Sequence, residues 1–435
     1  MHAPQALLTT LGSAAPAQGG YVISVRGILI ETTGVELPVG GVAEIETPEG
    51  FLPAEVVGFK SDCLQLMPLV AMRGIAAGSR VWPMTRRASV PAGTFLLGRT
   101  IDAMGQPLDD GPAFPPGDRA PLYREPITPL ERPILSEALE VGVRSIDTIL
   151  TLARGQRVGL FSASGVGKST LLGMMLRGTN AEVRVVALIG ERGREVREFI
   201  DRELGDARSS TVVVAVPSDS SPLLRTRGAY VATAIAEYFR NQGRDVLLLM
   251  DSITRFAFAA REIGLARGEP ATTKGYTPSV FSELPMLIER AGRLGRGSIT
   301  AIYAVLVEGD DLEDPVADSL RGILDGHVVL SRALAERGHF PAVDILASLS
   351  RAMVSVTSTQ QRALASRLRA LLAAYRDAED LIQVGAYAKG SDPVVDEAIA
   401  RRPQLESFLR QDALETVPMA TSLLELDRAL TETTQ

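Results

Sequence analysis

The sequence predicts an α/β chain: a phosphate-loop core on a mostly parallel sheet, preceded by a small β-barrel and followed by a helical domain. Three observations predict it. Continuous apolar segments (Val183–Ile189, Thr211–Val216, Val246–Met250) alternate with helix-length segments, the pattern of strands buried on both faces. A strand, small-residue loop and helix run from Arg157 to Leu176. Residues 21–90 carry instead short β-rich segments punctuated by Gly and Pro.

Taken in order, residues 1–20 are rich in Ala, Pro, Gly and Thr, with Leu7, Leu8 and Leu11 making one apolar stripe. Alone this segment is a marginal helix, to be read either as a frayed end or as a partner-docking segment. Five strands are expected next, over Tyr21–Ile30, Gly41–Glu46, Pro53–Phe59, Cys63–Leu69 and Arg80–Pro83. A closed or nearly closed barrel disposes of so many short strands without exposed edges. Its aromatics, Tyr21, Phe51, Phe59 and Trp82, are too spread out for base stacking, which favours a structural barrel over a nucleic-acid reader. Residues 91–133, dense in Pro and Gly, are expected to run as an extended strap linking barrel to core.

In the core, helices are expected at 168–177, 193–205, 222–242 and 255–264, with further strands at Ser298–Glu308 and Gly326–Ser331, the domain ending near Thr357. Gly292–Gly297, with Arg293 and Arg296, reads as a mobile loop or a plain exposed turn. Leu364, Leu368, Leu371, Leu372 and Tyr375 recur at helical spacing, Gly385 and Gly390 interrupt, and Pro393 starts another helix.

Composition narrows function. With 435 residues and 46% hydrophobic content the chain can bury a large core. A net charge of −7 and a pI near 5.3 give no global attraction for nucleic acid or anionic lipid, and no nucleic-acid partner is expected. The single cysteine, Cys63, excludes an intramolecular disulfide framework, and His2, His327 and His339 lack ligand spacing. No secretory signal or membrane-length apolar run is read, so a cytoplasmic location is expected.

The chemistry begins at Ser162-Ala163-Ser164-Gly165-Val166-Gly167-Lys168-Ser169-Thr170. Loop N–H groups and the helix N-terminus face phosphates, Lys168 reaches their oxygens, and the Ser169 hydroxyl suits Mg²⁺. Ser162 stands where the strict pattern has Gly. Asp251 ends an apolar strand, where a carboxylate positions Mg²⁺ in phosphate-loop enzymes or caps the following helix. Glu191 follows another strand and reads equally as helix cap or general base, with Arg192 beside it to anchor it or the phosphates. By themselves Arg351 reads as a surface ion-pair former and Phe340 as core.

These residues lie in runs that carry a resemblance: Gly190–Val196, Ser221–Arg225, Asp251–Ala257, Lys274–Phe281, Glu308–Asp311, Ile323–His327 and Ala347–Met353. Together, from Tyr21 onward, they resemble the type III export ATPase family, relatives of the rotary ATP synthase catalytic subunits. Val384–Pro393, with Gly159–Phe161 and Leu171–Met175, look flagellar rather than injectisome-like.

The resemblance implies a barrel (21–90), a RecA-like P-loop ATPase core (91–357) and a C-terminal helical domain (358–435), assembled as a homohexamer that hydrolyses ATP with Mg²⁺ to energise export of flagellar proteins. It implies nucleotide binding by Ser164, Gly165, Val166, Gly167, Lys168, Ser169 and Thr170, an adenine-stacking role for Phe340, and Mg²⁺ at Ser169 and Asp251. Glu191 would activate water with support from Arg192, and Arg351 would act in the neighbouring subunit's site. The partners implied are a stator-like regulator at the N-terminal segment, a coiled-coil stalk in the ring, and the export gate, chaperones and cargo at the cytoplasmic face of the inner membrane. The alternatives are an injectisome ATPase, a rotary synthase subunit, a RecA-like nucleic-acid motor and a non-hydrolysing scaffold.

Overall fold

The computed structural model describes residues 19–84, 88–307 and 314–431. The N-terminal segment read as a docking candidate and the Glu308–Asp311 run lie outside the described residues, the former but for its last two residues.

The first strands close into a barrel. Gly20–Arg26, Leu29–Thr33, Val42–Thr47, Gly50–Lys60, Cys63–Pro68 and Arg80–Pro83 pair in the order first, second, fifth, fourth, third, sixth. Tyr21–Ile30 is therefore two strands, not one: Gly27, at φ +60°, turns the chain so that Arg26 faces Leu29. Alternate residues, among them Val22, Ile30, Ile45, Leu52, Val56, Leu66 and Val81, fill the interior.

A buried charge cluster ties the barrel to the core. Glu55, on a barrel strand, accepts from Arg227 Nη1 and Tyr123 Oη at 2.5 Å each, while Arg227 Nε donates to the Ala103 carbonyl at 3.1 Å. Burial pushes the Glu55 carboxyl up, with Arg227 and Tyr123 opposing.

The strap is more than a connector. Thr100–Ile101 adds a parallel strand beside Thr211–Val216, and Leu96, Ile101 and Leu122 are fully buried in the core of the main sheet. The Pro and Gly positions turn the chain between these anchor points, which composition alone reads as a plain extended segment.

The main sheet runs Leu349–Ser350, Gly326–Val329, Arg157–Ser162, Gly297–Leu306, Asp245–Asp251, Val183–Ile189, Thr211–Val216, Thr100–Ile101. All neighbours are parallel except the outer Leu349–Ser350 pair; Gly292–Leu294 folds back on Gly297–Leu306 as a hairpin, so the 292–297 stretch is a strand followed by the hairpin's two-residue tip at Gly295 and Arg296. Val183, Val185, Ala187 and Ile189 face the layer of Pro222–Asn241, Ile253–Ala266 and Pro278–Ile288. Val186 and Leu188 face the opposite layer, with Lys168–Gly178 and the C-terminal helices Thr359–Gln383, Pro393–Leu409 and Met419–Thr431. Ser358 and Asp392 cap the first two of these helices through their side-chain oxygens.

The helix expected at 193–205 is broken into an α turn (Gly193–Glu198), a π turn (Phe199–Glu203) and a 3₁₀ segment (Gly205–Ser210). The wider turn lets Phe199 and Leu204, five residues apart, bury on one face together with Val196.

Candidate active site

The phosphate loop takes its shape from two glycines. Gly165 and Gly167 hold φ values of +80° and +88°, in the left-handed region that other residues avoid, and Gly167 stands immediately before the helix that Lys168 begins. Ser162, where the strict pattern has Gly, is the last residue of an extended strand and is fully buried, so no glycine is needed there. Val166 is buried under the loop, Ser164, Gly165 and Ser169 are exposed, and Thr170 is half-buried.

Across from the loop, neighbouring strand ends deliver carboxylates. Lys168 Nζ forms an ion pair with Asp251, which is 3% exposed at the end of Asp245–Asp251, and lies 3.9 Å from Glu191 Oε1. Glu191 follows Val183–Ile189 through Gly190, whose φ of +70° makes the turn. A Cβ at Gly190 would come within 2.8 Å of Arg255 Cδ, so the glycine also admits that arginine. Arg255 holds Glu191 through Nε and Nη2 at 3.2 and 3.3 Å. Its position is set by Ser252, which caps the helix by accepting from the Arg255 N–H.

This surrounding tunes Glu191. Burial, the nearby Asp251 charge and a hydrogen bond shared with Glu195 push its carboxyl up to about 7, against the pull of Lys168 and Arg255. Glu195 moves the opposite way, lowered chiefly by accepting from Glu191. A cavity of about 160 Å³ opens between Ser169, Glu191, Glu195, Phe199, Arg202 and Asp251.

Phe340 is half-exposed and its ring lies against the loop: a Cβ on Gly167 would stand 3.3 Å from it. The Phe340 carbonyl accepts from the Gln411 N–H of the helical domain at 3.0 Å.

Two residues are not brought to this cluster. Arg192 points to solvent, 80% exposed, and pairs with Glu195 at 3.6 Å; the arginine on Glu191 is Arg255 instead. The chain turns into the Gly193–Glu198 helix directly after Glu191, which carries the next side chain outward. Arg351 is exposed and, among the described residues, joins no ion pair. It follows the outer strand Leu349–Ser350 and bonds to Asp325, where the parallel strands begin, whereas the phosphate loop sits where they end. Arg255 and Glu195 are the site residues that sequence reasoning left without a role. The four-residue spacing from Asp251 to Arg255, one helical turn after a strand-end carboxylate, is the available signal.

Comparison with known proteins adds three findings. The ATP synthase alpha/beta family nucleotide-binding domain matches residues 142–350, and the T3SS EscN ATPase C-terminal domain matches residues 357–428. The flagellum-specific ATP synthase of Salmonella typhimurium is 51% identical over 94% of this chain and 92% of its own, and the type 3 secretion system ATPase of Xanthomonas euvesicatoria 49% identical over 90% and 89%. The assembled ATPase EscN of the enteropathogenic E. coli type III secretion system superposes with a TM-score of 0.90 at 42% identity, covering 95% of this chain and 100% of that one; EscN has also been solved with its central stalk EscO, at a TM-score of 0.88, 41% identity and the same coverage.

Proposed function

The chain belongs to the type III export ATPase family, within the wider ATP synthase alpha/beta family, and from that premise we propose that it hydrolyses ATP at the subunit interfaces of a homohexameric ring to energise export of flagellar proteins. The observation that carries the proposal is the meeting of Lys168, Asp251, Glu191 and Arg255 over the phosphate loop.

Phosphoryl transfer asks the protein for position and charge rather than covalent chemistry. The loop N–H groups from Ser164 to Thr170 and the start of the Lys168 helix cradle the phosphates, and the Lys168 ammonium neutralises their oxygens. Phe340 offers its exposed ring to the adenine. Glu191 accepts the proton of the attacking water; a base of pKa about 7 is matched to that task, and Arg255 fixes the direction of its carboxylate. Arg351, exposed and remote from its own loop, reaches the neighbouring subunit's transferring phosphoryl group. Arg192, also exposed, is left to contact phosphate or the neighbouring subunit rather than to hold Glu191.

Ser169 and Asp251, which border one cavity, would hold Mg²⁺. No group of three or more metal-binding side chains occurs among the described residues, which suits an ion completed by phosphate oxygens and water. Such an ion supplies neutralisation of the phosphate charge.

A finger supplied in trans makes each site a property of two copies, and head-to-tail contacts of that kind close as a ring. The assembled EscN structures support the ring and a central stalk as partners. Residues 1–20 are assigned to a stator-like regulator, and the ring to the cytoplasmic face of the inner-membrane export apparatus, with gate, chaperones and cargo as its partners. Among the described residues no helix is long and apolar enough to cross a membrane. The similarity to a type 3 secretion system ATPase favours one second reading, an injectisome motor. Complementation of deletion strains for motility or for effector secretion separates the two.

The test of catalysis is Glu191→Gln. It should keep nucleotide binding and lose phosphate release, and hydrolysis near the parental rate would remove Glu191 as the base.

A further inference from the structure

Opposite the phosphate loop, the backbone that carries Arg351 is gripped by groups that the hydrolysis mechanism does not use. The Arg351 N–H donates to the Asp325 carbonyl at 3.1 Å. Gln156, fully buried, donates from Nε2 to that same carbonyl at 3.3 Å and to Ser350 Oγ at 3.1 Å. The Ser350 hydroxyl in turn donates to the Thr151 carbonyl at 2.8 Å. Arg157 binds the Asp325 carboxylate with Nε and Nη2, each at 3.0 Å, and with its own backbone N–H at 3.0 Å. Its remaining nitrogen pairs with Glu289, which also binds Arg132 of the strap at 2.7 Å.

A bidentate guanidinium–carboxylate pair with a third backbone contact fixes both position and angle. The Asp325 side chain is thereby locked to the sheet, its carbonyl is aimed at Arg351, and Gln156 fixes the residue before it. Among the described residues nothing comparable holds the Arg351 side chain itself, which is exposed. A long cation that must meet a phosphoryl group on another subunit gains most from a fixed root, because orientation error at the reacting centre is costly.

From this geometry we infer that Arg157, Asp325 and Gln156 are positioning residues for Arg351, setting the backbone from which it reaches the next subunit's site. The inference rests on the reading of Arg351 as a trans-acting group. It also joins two sites in one subunit: Arg157 opens the strand Arg157–Ser162, whose far end, about 17 Å away, runs into the phosphate loop. The loop that binds one nucleotide and the arginine that grips Asp325 beneath Arg351 stand at the two ends of one strand, hydrogen-bonded on both sides.

The test is a double-mutant cycle on the assembled ring, measuring kcat, the Kd of a fluorescent ATP analogue and the assembled fraction by sedimentation. Asp325→Asn, which keeps the carbonyl and the shape but weakens the Arg157 pair, should lower kcat about 10- to 100-fold while Kd and assembly stay parental. In an Arg351→Ala background, itself slower by roughly 10³-fold, the same change should have no further effect. Arg157→Lys leaves a charge on Asp325 with one contact point; it should give a smaller loss with the same background dependence, and it carries the test should Asp325→Asn fail to fold.

Equal losses in both backgrounds would show a general structural role and overturn the inference. So would parental turnover in Asp325→Asn beside an impaired Arg351→Ala, an outcome that leaves the trans arginine standing. Parental turnover in Arg351→Ala would remove the trans arginine itself, and the positioning role with it.

Discussion

The pH dependence of kcat/KM is the sharpest check on Glu191, because that parameter reports ionisations of the free enzyme. A base must be deprotonated to accept a proton, and the Glu191 carboxyl sits at about 7, where an exposed glutamate titrates near 4.5. At pH 6 about one molecule in eleven would carry the active carboxylate, and at pH 8 about ten in eleven, so kcat/KM should rise about tenfold across that interval and level off above it. The causes of the shift predict how it moves. Glu195 raises Glu191 by accepting a hydrogen bond from its protonated carboxyl, so Glu195→Ala should carry the acid limb to lower pH. Arg255 favours the charged form, so Arg255→Ala should carry the limb to higher pH as well as loosening the base. The assay is initial-rate phosphate release from pH 5.5 to 9 at constant ionic strength; the ionisation of MgATP is common to all three proteins, so differences between them belong to the protein. A parental profile flat from pH 6 to 8, or limbs displaced in the same direction by both substitutions, would refute the reasoning.

Arg351→Ala should lose roughly 10³-fold or more in turnover while binding nucleotide normally, and mixing it with Lys168→Ala subunits should restore part of the activity through hybrid interfaces; no recovery at any ratio counts against a group supplied in trans. Arg227→Met strands the buried Glu55 carboxyl and should destabilise the barrel–core junction by about 3–5 kcal/mol, most of it regained in Arg227→Met/Glu55→Met. In the single variant Glu55 titrates well above its unfolded value. The native state then binds the proton more tightly, and stability should fall by about 1.4 kcal/mol per pH unit as pH rises toward the folded pKa. Urea unfolding followed by Trp82, the only tryptophan and a barrel residue, measures this, and a loss below about 1 kcal/mol would show that the pair contributes little.

Local signals carried well from sequence to structure, and contacts between distant segments did not. Lys168, Asp251 and Glu191 were legible because each stands where an apolar strand or a glycine-rich loop ends, and parallel topology gathers such ends along one edge. Phe340 and Arg351 gained a role only through the family motifs, since an aromatic in a loop and an arginine after a two-residue strand have no distinctive local pattern. The partner of Glu191 was misplaced for a geometric reason. Sequence adjacency suggests Arg192, but the helix starting at Gly193 turns that side chain to solvent, while Arg255 arrives from the element after the neighbouring strand. Gly27 was a visible turn signal inside Tyr21–Ile30. The pairs Glu55–Arg227 and Arg157–Asp325 join residues more than 160 positions apart, and no periodicity announces them.

The short strand at Thr100–Ile101 bears on how this protein can be cut into pieces. A fragment beginning at residue 142, where the nucleotide-binding match starts, would strip the outer strand from Thr211–Val216 together with the Leu96, Ile101 and Leu122 side chains that seal that end of the sheet. The freed edge would present unpaired backbone groups and apolar surface to other copies, a route to aggregation. An excised catalytic unit should therefore begin before Ala88, at the threshold of the Ser89–Pro91 ladder to Arg119–Pro121, and leave behind only the barrel.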